Sequence, residues 1–97
     1  MPTYAANVSA SSGPTNVGMK IDTQDIPMGR AADGSWNGIG TVISSKNPVP
    51  FEFRAVGVAG FPVNLKITLT PSTKPPYSKN FIIPGSLLLI VDDTVPV

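Results

Sequence analysis

Six carboxylates, Asp22, Asp25, Asp33, Glu52, Asp92 and Asp93, are the only acidic side chains in the sequence, and no histidine or cysteine accompanies them. Histidine is the commonest general base and transition-metal ligand, and cysteine supplies thiolate nucleophiles, disulfides and zinc sites. Without either, Ser-His-Asp and Cys-His chemistry are impossible. A carboxylate pair can cleave a glycosidic bond only when both groups flank it. Asp92 and Asp93 are adjacent, so on a strand they point to opposite faces. Asp22 and Asp25 lack a calcium-loop pattern around them. Ser45-Lys46 and Ser78-Lys79 are adjacent pairs that point apart on extended chain. Gly57-Val58-Ala59-Gly60 lacks the lysine and spacing of a phosphate cradle. The sequence therefore predicts no catalytic residue, no metal and no cofactor.

One constellation remains for ligand binding. Trp36 lies between the turn dipeptides Asp33-Gly34 and Asn37-Gly38, and an aromatic plate beside Asp33 and Asn37 has the composition of a sugar site. The competing expectation is a core tryptophan. Tyr77 follows Pro75-Pro76 and offers either a second exposed aromatic or a ring packed on proline. Pro48-x-Pro50 and Pro75-Pro76 are weak proline-rich ligands at most.

Seven cations are scattered along the chain, the net charge is +1 and only 13% of residues are charged. No basic stripe neutralises phosphates, which argues against nucleic acid. The longest apolar uncharged stretch, residues 80–91, is broken by Pro84-Gly85 and too short to cross a bilayer, so no membrane insertion is expected. No basic, apolar secretory signal is visible at the start of the sequence. These features suggest a soluble protein and leave its compartment open. A composition 41% hydrophobic and almost neutral is that of a chain that folds.

At 97 residues the chain has the size of one domain. Eleven prolines and nine glycines spread along it suit short strands and many turns. The expected fold is all-β: a small antiparallel β-sandwich or partly closed barrel of about six or seven short strands. Residues 1–16, uncharged and broken by Ser11-Ser12-Gly13-Pro14, read as an extended N-terminal arm, with a single β domain over 17–97. Strands are expected at 17–22, 36–43, 51–55, 63–70, 78–83 and 86–92. The alternation Val63-Asn64-Leu65-Lys66-Ile67-Thr68-Leu69-Thr70 is free of error and defines one buried row. The runs 51–55 and 63–70 are expected to pair as a hairpin, with the former starting after Pro50.

Leu87-Leu88-Leu89-Ile90-Val91 does not alternate. Leu87, Leu89 and Val91 point to one face and Leu88 and Ile90 to the other, so both faces call for cover. The cover is the chain's own arm or a closed barrel in one reading and another subunit in the next; a short buried helix is the third. Asp92-Asp93 brackets this aggregation-prone run. The expectation is a non-catalytic structural subunit that oligomerises or docks on a larger lattice, such as a virion decoration or surface protein, with Tyr4, Val8, Leu88 and Ile90 at its subunit interface. The alternative is a carbohydrate-binding, lectin-like module using Trp36.

Overall fold

A computed structural model describes residues 2–97. Nine strands occur among them: β1 (Thr3–Ala10), β2 (Asn16–Ile21), β3 (Gln24–Asp25), β4 (Met28–Arg30), β5 (Trp36–Ile43), β6 (Val49–Val56), β7 (Pro62–Thr70), β8 (Tyr77–Ile82) and β9 (Leu88–Val95). They form two antiparallel sheets, one of five strands in the order β4-β5-β1-β7-β8 and one of four in the order β3-β2-β6-β9. The fold is a small β-sandwich. Seven strands have six or more residues; the two shorter ones lie at sheet edges. No helix among the described residues is long and apolar enough to cross a membrane.

Period-two alternation builds the core. β7 buries Val63, Leu65, Ile67 and Leu69 and turns Asn64, Lys66 and Thr70 outward. From the other sheet, Phe51, Phe53 and Ala55 of β6 join the same apolar cluster. The two strands do not form the expected hairpin: β7 pairs with β1 and β8, and β6 with β2 and β9. Residues 57–61 cross between layers. Two adjacent alternating runs satisfy burial equally well side by side or across a core, and pattern alone does not separate these cases. Strand β6 also starts before Pro50, whose missing N–H lies one residue into the strand, where its loss disrupts the ladder least.

The expected arm is corrected as well. Residues 3–10 form the middle strand of the larger sheet, hydrogen-bonded to β5 on one side and β7 on the other. Tyr4, Ala6, Val8 and Ala10 are buried. Small residues at alternate positions conceal the amphipathic pattern, because Ala6 and Ala10 fill inward positions that carry little hydrophobic signal.

Asn37-Gly38 is not a turn. It lies inside β5, and Gly38 and Gly40 leave room for the crossing from β3 to β4: a Cβ on Gly38 would stand 2.5 Å from Met28 Sδ and 2.6 Å from the Pro27 carbonyl oxygen. The turn is Asp33-Gly34 alone, with Gly34 at φ 87°. At the β2–β3 turn, Asp22 and Thr23 take φ of 44° and 67°, a conformation unusual for a β-branched residue.

Candidate functional site

The seven residues singled out for binding separate cleanly. Tyr4 and Val8 are buried inside their own domain and cannot reach another subunit, which corrects their assignment to an interface. Trp36 is only 8% exposed, and its Nε1–H donates to the Pro14 carbonyl at 3.0 Å. Its ring belongs to the core. Asn37 points to the opposite, solvent side of β5. The Asp33 carboxylate accepts from the Ser35 amide at 2.9 Å and the Ser35 hydroxyl at 2.6 Å, which lowers its pKa. It shapes its own turn. The three residues therefore do not converge on a common space, and no exposed aromatic plate exists at this position.

The remaining polar groups make local pairs. Lys46 Nζ lies 3.0 Å from Asp22 Oδ1, Arg54 Nε lies 2.8 Å from Glu52 Oε1, and Lys79 Nζ lies 3.2 Å from Asp93 Oδ2. No cluster of three acidic residues with metal-binding geometry occurs among the described residues. A shallow cleft of about 250 Å³ is lined by Lys20, Asp22, Thr23, Lys46, Pro50, Phe51 and Glu52. Its two cations and two anions balance, so it offers no net field to a charged ligand. Tyr77 is buried against Phe51, with ring centroids 4.9 Å apart, and its hydroxyl donates to Asp93 Oδ2 at 2.9 Å.

Leu88 and Ile90 behave differently. Strand β9 is the edge of the four-stranded sheet, beside β6 only. Leu89 packs against the core and Val91 is buried, whereas Leu88 is 38% and Ile90 48% exposed on the outer face. Leu87 lies before the strand at φ 68°, in the turn closed by its N–H to the Pro84 carbonyl at 2.9 Å. Neither an arm nor a closed barrel covers this strand.

Sequence reasoning missed the neighbours of these two residues. Val56 sits directly opposite Leu88 in the β6–β9 register. The connection after β6 is tied to the one before β9 by three backbone bonds: Gly57 N–H to Leu87 O at 3.1 Å, Gly60 N–H to Ile83 O at 2.8 Å and Ile83 N–H to Phe61 O at 3.0 Å. This brings the segments that carry Val56, Val58, Phe61, Ile82, Leu87 and Leu88 to one end of the sandwich, with Ile82 on the outer face of the five-stranded sheet, and Val56, Leu88 and, farther along and opposite Arg54, Ile90 on that of the four-stranded sheet. Nine large hydrophobic side chains are exposed among the described residues, and these are seven of them. The other two, Ile39 and Ile43, lie on β5 in the opposite sheet. The signal was present in the sequence as two stretches without charge, 55–65 and 80–91, which only the fold brings together.

No family model, curated protein or solved structure matches this chain.

Proposed function

We propose that the protein is a non-catalytic assembly subunit that oligomerises, alone or as part of a larger lattice such as a virion decoration layer, through the uncharged end of its sandwich and the apolar half of β9. The observation that carries this reading is the exposed apolar half of the edge strand β9, where Leu88 and Ile90 stand on the outer face beside Val56 and next to two connections without charge. The largest apolar patch on a typical monomer spans about 300–600 Å² and is often functional. Val56, Leu87, Leu88 and Ile90, neighbours across the β6–β9 pairing and its entry turn, form an exposed apolar cluster of this kind. Lack of histidine and cysteine supports a non-catalytic role.

The test is the solution mass of the natural chain and two variants across a concentration series. The natural chain is expected to exceed its monomer mass of 10.1 kDa. Ile90→Lys should weaken association at least tenfold, because it places an ammonium in the patch. Ile39→Lys, at the most exposed apolar position of the opposite sheet, should leave it unchanged. A natural chain that stays monomeric to its solubility limit would overturn the proposal.

A further inference from the structure

Strand edges carry rows of unpaired N–H and C=O groups, and native domains blunt them with short strands, charges or proline. The sandwich has four such edges. β3 and β4 have only two and three residues. β8 carries Ser78, Lys79 and Asn80 along an exposed stretch, with Lys79 at its middle. β9 is eight residues long, and its second half is guarded by Asp92 and Asp93. Its first half, Leu88–Val91, has neither charge nor proline and continues directly into the apolar end of the molecule. Among the four terminal strands it is the longest run without charge or proline; the part of β5 beyond β4 lies against Ile26 at Gly40 and is tied to Gln24 at Ile43.

Resting on the assembly reading above, we infer that the occupant of this edge is a second copy of the same strand, paired antiparallel across a two-fold axis at Leu89. Directly opposed residues in an antiparallel pair share a face, so a two-fold axis must pass at a residue. With the axis at Leu89, Leu88 faces Ile90 of the partner subunit, Leu87 flanks the partner's Val91, and all facing pairs are apolar. The carboxylates then stay apart: the two copies of Asp92 are offset by six residues, roughly 20 Å along the strand, beyond the ~8 Å screening length of physiological salt. Moving the axis to Ile90 sets Leu88 against the partner's Asp92. Moving it to Val91 sets Ile90 there and Leu89 against the partner's Asp93. An axis at Asp92 opposes two like charges directly, which is destabilising. Apolar continuity and charge separation thus choose the same register.

A second copy also fits better than a lipid surface. Hydrocarbon satisfies no backbone hydrogen bond, the patch has no Trp, and Arg54, the cation directly opposite Ile90, is engaged by Glu52 at 2.8 Å. A stable interface buries about 800 Å² per partner. The strand edge with Leu88, Ile90 and the preceding Leu87 supplies apolar surface toward that area.

The chain lacks cysteine, so single introduced thiols report the register without background. Opposed strand residues have Cα atoms about 4.5–5.5 Å apart, within the range a disulfide spans. Full-length Leu88→Cys and Ile90→Cys proteins, one uniformly ¹⁵N-labelled so that mass identifies the mixed product, are combined and mildly oxidised. The mixed 88–90 disulfide is expected to exceed the product of Leu88→Cys with Thr94→Cys at least tenfold. The natural chain should weigh as a dimer in parallel. A dimer without enrichment of the 88–90 product would overturn this register while leaving the assembly reading intact. A natural chain that remains monomeric would overturn both, as would a monomer that floats with phosphatidylcholine vesicles.

Discussion

Gln24 shows how one side chain can stand in for a strand. Its amide makes both hydrogen bonds of a peptide unit to Ile43: Nε2–H donates to the Ile43 carbonyl at 2.8 Å, and Oε1 accepts from the Ile43 amide at 3.0 Å. Gln24 belongs to β3 and Ile43 to β5, so the contact staples one sheet to the other beyond the reach of β4. Only an amide side chain carries a donor and an acceptor in this arrangement. Gln24→Glu keeps the acceptor but places carboxylate oxygen against the carbonyl. It is expected to lower stability by about 1 kcal/mol, read as a reduced urea midpoint with unchanged slope. Nothing in the sequence singles out Gln24, because its role depends on a partner 19 residues away in the other sheet. Trp36 was legible to a point. Its place next to Asp33-Gly34 suggested both a sugar plate and a core ring, and only its depth and the bond to Pro14 decide between them.

Among the elements, β8 and β9 meet across the open side of the sandwich through Asp93. Its carboxylate accepts from the Thr94 amide at 2.9 Å, from the Tyr77 hydroxyl and from Lys79, and together these hold its pKa below the ordinary 3.8. Burial, followed by the Asp93 hydrogen bond and charge, pushes the Tyr77 hydroxyl well above its ordinary 10.0. The two shifts act at opposite ends of the pH scale. For Asp93 the unfolded chain takes up the proton first, so its contribution is complete above the unfolded pKa and is lost as pH falls through the lower folded value. Asp22 and Asp33, also lowered, act in the same direction. For Tyr77 the contribution is complete below the unfolded pKa near 10 and is lost as pH rises beyond it. Stability by urea midpoint is expected to be level through neutrality and to fall below about pH 4. Asp93→Asn should reduce that acid loss and bring the Tyr77 phenolate transition, followed by ultraviolet absorbance, part of the way back toward 10. An unmoved transition would refute the coupling. The positions of the longer strands were readable from alternation, most clearly β7, whereas their partners were not. Five of the eight connections cross between sheets, and an alternating run records which face is buried without recording which strand lies beside it.

At the scale of the whole molecule, two uncharged stretches separated by residues 66–79 meet at one end of the sandwich. The sequence made Leu88 and Ile90 conspicuous because they interrupt alternation, and the fold leaves them uncovered on an edge strand. It concealed Val58, Phe61 and Ile82, since apolar residues flanked by glycine and proline read equally well as turns tucked into a core. Tyr4 and Val8 show the converse, apolar residues in a polar-looking segment that the sandwich places at its centre. The apolar half of β9 is the proposed contact surface. Amide hydrogen exchange of the natural chain, measured residue by residue over a hundredfold concentration range, tests it most directly. Exchange of edge-facing amides within Leu88–Val91 should slow markedly as concentration rises, while exchange along β8 should stay constant. Concentration-independent exchange throughout β9, or protection that grows on β8 instead, would contradict it.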